Sequence, residues 1–285
     1  MKRNDFRFLH PLRVRWAEVD MQKIVFNGHY LMYFDTAVAG YWRALALPYE
    51  ETMEHLQGDL YVRKATLEYE GSARYDDRLD VGIRCARIGN SSIIFSAAAF
   101  RGEQRLVHGE LVYVFADPAT QTSQPVPHAL RDVLTAYEAG QTMSEVRVGT
   151  WADQGQAAQA IRHAVFVAEQ GINAELMSDA ADALAVHALA CNRLGVPLAS
   201  GRLVSAQPGA ARIGRMAALA TVRGAGLGSA VLSALMAVAR QRGDQEVQLN
   251  AQSSAVGFYL RAGFEPCGEV FEEAGVPHQE MRRRL

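Results

Sequence analysis

The first half of the chain combines one helical pattern with several strand patterns. Leu31, Phe34, Val38, Tyr41 and Leu45 recur at spacings of three and four, which predicts a helix with one buried face. Four strand-like runs follow it, at 60–69, 79–87, 92–100 and 106–115. Apolar and polar residues alternate in the second of these runs, so one face of that strand is expected to be buried. The order predicts a mainly antiparallel sheet wrapped around a single helix.

The second half of the chain predicts a mixed α/β arrangement. Its first helix carries Ala157, Ile161, Ala164 and Val165. The remaining elements are predicted as strands at 185–191, 198–204 and 212–220, a long helix at 226–242, a strand at 246–250, a helix at 254–262 and two closing strands. A polar, helix-leaning stretch at 125–142 precedes a new strand-like start at 145–151. We therefore predict two domains, 1–142 and 143–285.

Composition and charge exclude several classes of protein. The 285 residues are 49% hydrophobic and 21% charged, as in soluble globular proteins, and the formal net charge of -2 indicates neither nucleic acid nor an anionic membrane as a partner. The three cysteines are widely separated and form no CxxC pair, so neither a disulfide framework nor a metal site is expected. The N-terminus lacks an apolar stretch, and the longest apolar run, 230–239, is too short to span a bilayer. We expect a cytoplasmic protein.

Lysine is rare in this chain. Only Lys2, Lys23 and Lys64 occur, so residues 65–285 contain none. A Walker-type phosphate site and a lysine Schiff base are therefore excluded from the second half.

A carboxylate, Asp20, is predicted in the loop between the first strand and the first helix. Helix N-termini carry unpaired backbone N–H groups and partial positive charge, so a thioester carbonyl lodged there would be polarised as its oxygen becomes an oxyanion. Asp20 would then attack the carbonyl or activate water. An aspartate that merely caps a loop turn produces the same local pattern, so the residues alone leave both interpretations open.

Three segments of the first half resemble the hot-dog-fold acyl-CoA thioesterases of the 4-hydroxybenzoyl-CoA thioesterase type, including the YbgC/FadM group. They are the segment around Asp20, 13–37, the strand 64–77 and the strand end 112–117. The resemblance covers about residues 6–138. It implies an α+β hot-dog domain in which Asp20 is the nucleophile or base and the backbone N–H of Asn27 polarises the carbonyl. Some members carry histidine at the position of Asn27. Members build their active sites between protomers, which implies a homodimer or homotetramer.

A glycine-rich turn joins a strand to the long apolar-faced helix of the second half. Glycines at 224, 226 and 228 allow the backbone to approach a ligand closely, and the helix start offers N–H groups to a pyrophosphate. Because lysine is absent, a nucleoside triphosphate is disfavoured. A tight strand-to-helix turn would use the same glycines, so this pattern alone is weak evidence.

The second half resembles the GCN5-related N-acetyltransferases (GNAT). The resemblance rests on this turn, Arg-Gly-Ala-Gly-Leu-Gly at 223–228, combined with Tyr259, Gly263 and Phe264. Segments 165–170, 199–202 and 272–279 resemble their ElaA-like branch, and the resemblance covers about residues 145–285. It implies a mixed α/β GNAT domain that uses acetyl-CoA as substrate, releases CoA, and acetylates an amine acceptor.

The GNAT resemblance also implies roles for individual residues. Tyr259 would protonate the departing CoA thiolate. Gln252 stands where many relatives have an asparagine that contacts CoA, and Glu169 is the candidate general base, with a water relay as the alternative. The pyrophosphate would be held by the backbone N–H groups of Arg223, Gly224, Ala225, Gly226, Leu227 and Gly228, and pantetheine would pair with Met216, Ala217 and Ala218.

The leading hypothesis is a bifunctional enzyme that hydrolyses an acyl-CoA in its first half and transfers acetyl from acetyl-CoA to an amine in its second. An alternative makes the hot-dog half a non-catalytic CoA-binding or oligomerisation module. A third treats both folds as ligand sensors. Asp20 separates the first two hypotheses, because a module needs no acid at the helix entrance.

Overall fold

The computed structural model describes all residues, 1–285, and the chain divides into two compact units, Met1–Met143 and Ser144–Leu285. Each unit contains one sheet. No helix in either unit is both long and apolar enough to cross a membrane.

The first unit is a five-stranded antiparallel sheet in the order β1-β3-β4-β5-β2. The strands are β1 (Phe8–Arg13), β2 (Asp59–Tyr69), β3 (Arg78–Ile88), β4 (Ser92–Arg101) and β5 (Gln104–Ala116). The helices are α1 (His29–Ala44), α2 (Tyr49–His55) and α3 (His128–Glu138). Helix α1 packs against β1, β3 and β4, which confirms the predicted α+β class.

Aromatic residues set the rotation of α1 about its axis. Tyr30, Phe34, Tyr41 and Trp42 are buried, whereas the predicted core residue Leu31 is 41% exposed. The large rings define the stripe that enters the core, and Leu31 lies about 100° away from Tyr30 around the helix. The prediction that Leu31 faces the core is wrong for this reason.

Helix α3 lies within the helix-leaning stretch 125–142, whereas α2 is a helix that the sequence patterns do not predict. Helix α2 is seven residues long, begins after Pro48, and carries two acidic residues in its first turn. Its short sequence offers too little periodicity to distinguish a helix from a loop.

The second unit is a seven-stranded sheet in the order β11-β12-β10-β9-β8-β7-β6, and its mixed α/β class matches the prediction. The strands are β6 (Ser144–Gly149), β7 (Val186–Asn192), β8 (Pro197–Gln207), β9 (Ala210–Ala218), β10 (Glu246–Gln252), β11 (Glu265–Glu273) and β12 (Val276–Arg284). The helices are α4 (Trp151–Arg162), α5 (Leu227–Gln241) and α6 (Val256–Arg261), and a π-helix spans His163–Glu169.

The π-helix changes which residues are buried after α4. Val165 is buried, but Ala164, predicted on the same face, is exposed. The wider π turn, with Gln170 N–H bonded to the Val165 carbonyl at 3.2 Å, shifts the periodicity that an α-helix would have kept. Trp151, predicted at the end of a strand, instead begins α4 because Thr150 and Asp153 form a capping box there.

Strands β9 and β10 form the one parallel pair of this sheet and separate along their length. They pair only between Ala210–Arg212 and Glu246–Gln248, although β9 continues to Ala218 and β10 to Gln252. The carboxyl ends of the two strands are thus not hydrogen-bonded to each other, which opens a cleft in the sheet.

A β-bulge lies on the other side of β9. Arg215 and Met216 together face Gly201 of β8, because Ser200 pairs with Ala217 and Arg202 pairs with Gly214. Arg215 has a φ of 53°. A Cβ at Gly201 would lie 2.5 Å from the Met216 sulfur, so any larger residue opposite the bulge requires neighbouring side chains to move.

Candidate functional site

A cavity of about 630 Å³ opens beside the end of β9 and the start of α5. Its walls are mostly apolar, with several backbone amides and three arginines among them. The lining residues are Met216, Ala217, Ala218, Val222, Arg223, Gly224, Gly226, Leu227, Gly228, Ser229, Leu232, Ser233, Met236, Ala255, Phe258, Tyr259, Arg261, Ala262 and Arg283. The structure therefore brings the predicted strand segment 216–218, most of the glycine turn and Tyr259 to one cavity.

The glycine turn presents free amides to this cavity. Gly224 and Gly226 have φ values of 89° and 83°, and a Cβ at either position would meet no atom within 4 Å. The first hydrogen bond of α5 runs from the Ala230 N–H to the Gly226 carbonyl at 3.0 Å, so the amides at the start of the helix have no partner in its ladder. Glycine is needed here for its backbone conformation, and the space beside it is open to a ligand.

Two of the six amides predicted to bind pyrophosphate already donate within the chain. The Arg223 N–H bonds the Ala220 carbonyl at 3.3 Å, and the Ala225 N–H bonds the Val222 carbonyl at 3.2 Å. Ala225 is also absent from the cavity wall. The anion-binding capacity of the turn thus rests on Gly224, Gly226 and the first residues of α5.

Tyr259 is buried on α6 and lines the cavity. Phe258 and Phe264 contact its ring edge-to-face, with centroid distances of 4.9 and 5.9 Å. Burial raises the pKa of the Tyr259 hydroxyl to about 12, so the group remains protonated at neutral pH. A protonated hydroxyl in an apolar wall suits a hydrogen-bond or proton donor.

Glu169 and Gln252 lie outside the cavity wall. The Glu169 carboxylate accepts two hydrogen bonds, each 2.6 Å, from the guanidinium of Arg223. Gln252, at the end of β10, donates to the side-chain oxygen of Gln170 at 3.0 Å. Glu169, the last residue of the π-helix, thus contacts the glycine turn, and the next residue, Gln170, contacts the end of β10.

The predicted catalytic loop of the first unit is a tight turn between two short paired segments. Val19 and Val25 form a β-bridge, and the Asp20 N–H bonds the Ile24 carbonyl at 2.9 Å. The Asp20 Oδ1 accepts the Gln22 N–H at 2.8 Å. Asp20 is half-buried, and its Oδ2 accepts no bond from the chain. The turn-capping bond therefore uses one oxygen of Asp20 and leaves the other without a partner in the chain.

Glu18 holds this loop in place from beneath. Its side chain is 3% exposed and accepts hydrogen bonds from the Tyr33 hydroxyl, the Arg15 amide and the Arg15 guanidinium, each at 2.7 Å. Burial acts to raise the Glu18 pKa, but the bonds from these donors outweigh it, and the pKa lies below its usual value. The Glu18 carbonyl also accepts the Phe26 N–H, which fixes the approach to α1.

Asn27 precedes α1 and is exposed. Its carbonyl accepts the Tyr30 N–H at 3.3 Å and the Tyr69 hydroxyl at 3.2 Å, which ties the start of α1 to the end of β2. Its own N–H takes no part in the helix ladder, as expected for a residue before the first turn. Asp20 and Asn27 therefore bracket the same loop at the entrance to α1.

Sequence reasoning did not find Arg261 and Arg283, which also line the cavity. The Arg283 guanidinium donates to the Ala262 carbonyl and packs beneath Gly263. Arg261 lies two residues after Tyr259 on α6, so its nearness to the site could have been predicted from the sequence. Arg283 reaches the cavity from the last strand, which the sequence does not indicate. No group of three or more His, Cys, Asp or Glu side chains is arranged to hold a metal ion.

Comparisons with known proteins give two separate matches. The acetyltransferase (GNAT) domain model matches residues 163–285, and the thioesterase superfamily model matches residues 22–108, beginning just after Asp20. The uncharacterized N-acetyltransferase YjcF of Bacillus subtilis is 32% identical over 124 residues, which are 43% of this chain and 87% of that protein.

The acyl-CoA thioester hydrolase YbgC of Escherichia coli is 24% identical over 128 residues, which are 45% of this chain and 95% of that protein. A solved thioesterase superfamily structure from Jannaschia sp. CCS1 covers 45% of this chain and 90% of its own, with 22% identity and a TM-score of 0.43. The first unit is thus similar to proteins of the thioesterase superfamily, and through its second unit the chain belongs to the GNAT acetyltransferase family.

Proposed function

We propose that this chain is a bifunctional CoA-thioester enzyme, with an acetyltransferase site in its second unit and a hydrolase site in its first. The single observation that carries the proposal is the cavity that joins the open amides of the glycine turn to the protonated Tyr259. Both reactions release CoA, the first from acetyl-CoA and the second from an acyl-CoA. Family membership supports this chemistry in general terms.

In the proposed acetyl transfer, the CoA pyrophosphate binds the amides of Gly224, Gly226, Leu227 and Gly228 at the positive end of α5. Pantetheine extends along Ala218 towards Met216. The acceptor nitrogen attacks the thioester carbonyl, the carbon–sulfur bond breaks, and Tyr259 donates a hydrogen bond or proton to the departing thiolate. The products are an N-acetyl amine and CoA.

The ion pair with Arg223 argues against Glu169 as the base in this reaction. The hydrogen bonds from Arg223 lower the Glu169 pKa. A carboxylate that already accepts two hydrogen bonds from a guanidinium is a poor proton acceptor. We propose instead that Glu169 positions Arg223, and through it the glycine turn. Water then carries the acceptor proton away, which is the alternative left open by the sequence.

In the proposed hydrolysis, the free Oδ2 of Asp20 acts in one of two ways. It attacks the acyl carbon, which breaks the carbon–sulfur bond and forms a mixed anhydride that water then hydrolyses, or it removes a proton from a water molecule that attacks the acyl carbon and expels the CoA thiolate. The N–H of Asn27 stabilises the oxyanion, and the products are a carboxylic acid and CoA. In the alternative, the first unit only binds CoA or holds protomers together, and Asp20 then serves as a turn cap.

A homodimer or homotetramer through the first unit is part of the proposal. Strand β2 lies at the edge of its sheet, with Tyr61, Val62 and Tyr69 exposed, and α1 exposes Leu31 and Met32. An unpaired strand with apolar side chains is a surface that a second copy would cover. The three free cysteines suit a reducing compartment, which supports the cytoplasm as the location.

The test is a panel of acyl-CoAs incubated with the full chain, with free thiol measured in the presence and absence of amines. Thiol release without amine reports hydrolysis, and release that requires amine reports transfer. We expect Asp20→Asn to lower hydrolysis at least about a hundredfold and to leave transfer unchanged. Tyr259→Phe should slow transfer with little effect on acetyl-CoA affinity.

The matched control for the first unit is Asp76→Asn. Asp76 is an exposed turn aspartate that pairs with Arg13, at a φ of 69° that asparagine tolerates. Undiminished hydrolysis by Asp20→Asn would refute the catalytic role of Asp20, and a wild type that transfers acetyl but hydrolyses no acyl-CoA would favour the module role. Absence of both activities from the whole panel, together with no binding of acetyl-CoA, would refute the enzyme proposal.

A further inference from the structure

Five charged side chains, Arg162, Arg202, Arg215, Asp179 and Asp182, form a connected group in the second unit, here named the arginine cluster. Asp182 bonds Arg162 and Arg202, each at 3.0 Å. Asp179 bonds Arg202 at 2.7 Å and Arg215 at 2.9 Å. The pairs share partners, so the cluster is one network.

The arginine cluster carries more positive than negative charge, with three guanidinium groups against two carboxylates. Hydrogen bonding from Arg202 lowers the pKa of Asp179 to about 2, so this carboxylate is ionised at neutral pH. His187, which donates to the Asp182 carbonyl at 2.9 Å, is fully buried, and burial lowers its pKa below the usual value, so it adds no charge at neutral pH. The cluster has an excess of one positive charge.

This excess charge reaches solvent at one residue. The side chain of Arg162 is 0% exposed and that of Arg202 is 11% exposed, but that of Arg215 is 26% exposed. The Nε atoms of Arg202 and Arg215 are buried without a partner, and so is the hydroxyl of the fully buried Ser200. A partly desolvated cation with unused donors is suited to binding an anion.

The bulge in β9 relates Arg215 to the cavity. Arg215 and its neighbour Met216 both lie opposite Gly201 in the strand register. The Met216 side chain lines the cavity, whereas the Arg215 side chain bonds Asp179. Arg215 is held in the left-handed region, at a φ of 53°, which is unfavourable for a residue other than glycine, asparagine or aspartate. Bulges re-aim side chains next to functional sites, and this one separates two adjacent side chains.

The proposed direction of CoA indicates what lies near Arg215. With pyrophosphate at the glycine turn, pantetheine runs from Ala218 towards Met216, and the acyl group arrives at that end of the segment. Arg215 is the next residue along the chain, with its Cα about 3.8 Å from that of Met216. We propose that the amine acceptor carries an anionic group, a carboxylate or a phosphate, that binds the guanidinium of Arg215. The inference rests on the proposed acetyl transfer and names its substrate class.

The experiment compares amines that differ only in the anionic group, using the full chain and acetyl-CoA. The carboxylate arm pairs glycine with glycinamide and 4-aminobutyrate with butylamine, and the phosphate arm pairs O-phosphoethanolamine with ethanolamine. We expect kcat/KM to be at least tenfold higher for the anionic member of at least one arm, which identifies the anion. Equal rates, or preference for the neutral members, would overturn the inference.

The variant Arg215→Asn removes the charge and keeps a residue that tolerates a positive φ. It should abolish the preference mainly by raising KM for the anionic amine, with the rate for neutral amines and the affinity for acetyl-CoA within twofold of wild type. Arg212→Asn is the control, since Arg212 lies on the same strand and contacts Asn250 and Glu280 instead. A preference that survives in Arg215→Asn would also overturn the inference.

If no amine of the panel is acetylated, calorimetry with glutarate and with inorganic phosphate on the CoA-saturated protein decides the question. Binding of either anion to wild type and its loss in Arg215→Asn supports the inference, and no binding to wild type contradicts it. Failure of the proposed function is distinguished by the absence of acetyl-CoA binding, which the inference about Arg215 does not affect.

Discussion

Glu169 and Arg223 form a two-bond ion pair that connects the end of the π-helix to the first residue of the glycine turn, with both distances 2.6 Å. The Arg223 Nε also donates to the Ala218 carbonyl at 3.0 Å, so one guanidinium joins Glu169, the turn and the end of β9. A bidentate pair fixes orientation as well as distance. The geometry favours a positioning role for Glu169.

A double-mutant cycle tests this role. We expect Glu169→Gln to raise KM for acetyl-CoA about three- to tenfold with kcat unchanged, because the turn loses its tether but no reacting group is removed. The double variant with Arg223→Gln should be no worse than Arg223→Gln alone, since each removes the same interaction. Glu175→Gln, an exposed carboxylate nearby in sequence, is the control. A hundredfold loss of kcat in Glu169→Gln, with loss of the acidic limb of its pH profile, would instead identify a general base.

Gly226 and Gly243 lie at opposite ends of α5, with φ values of 83° and 82° and no atom within 4 Å of a Cβ. Valine at either position therefore introduces similar backbone strain of about 1–2 kcal/mol. Gly226→Val should weaken acetyl-CoA binding at least tenfold, because it alters the amides at the cavity. Both variants should lower the unfolding temperature by similar amounts, because the strain is similar. Gly243→Val should leave the affinity for acetyl-CoA unchanged. Equal effects of both variants on affinity would exclude the turn as the binding site.

The buried Glu18 predicts a pH-dependent stability of the first unit. Its pKa in the folded chain lies below the usual 4.5, so its charged form stabilises the fold above about that pH, and this contribution is lost as pH falls through the folded-state pKa. We expect Glu18→Gln to lower the free energy of unfolding by about 1–3 kcal/mol at pH 7. Thermal melts at decreasing pH should show the two curves converging as the pH falls through the folded-state pKa of Glu18. Glu54→Gln, on the exposed side of α2, is the control, and parallel curves for Glu18→Gln would contradict the prediction.

The apolar edge of β2 predicts where the oligomer interface lies. Val62 is 56% exposed on this strand, and Val62→Lys should shift light-scattering mass towards the monomer, because lysine on an edge strand opposes pairing. Val148→Lys, on the edge strand β6 of the second unit, is the matched control with 45% exposure and should leave the mass unchanged. A monomeric wild type at micromolar concentration would refute the proposed oligomer. Hydrolysis should decline with dissociation if the site lies between protomers.

Local patterns in the sequence predicted most of the elements and both family resemblances. The periodicity of apolar residues predicts the strands and the long helices. The glycines predict the turn, because glycine readily adopts the backbone conformation that the turn requires. Periodicity failed at α2, which is too short, at Leu31, where larger aromatic rings set the helix rotation, and at Ala164, where the π turn changes the repeat. In each case the cause is the length of the element, the packing of its neighbours or the type of helix, and the spacing of apolar residues does not report any of these.

The sequence by itself determined which chemical groups are present: an acid before α1, a lysine-free glycine turn and a tyrosine on α6. Only the tertiary structure decided their partners, because side chains far apart in the chain meet only after folding. It directed Glu169 to Arg223, 54 positions away, and Arg215 to Asp179, 36 positions away. A carboxylate's chemistry depends on whether it meets water or a guanidinium, and that choice is made by packing.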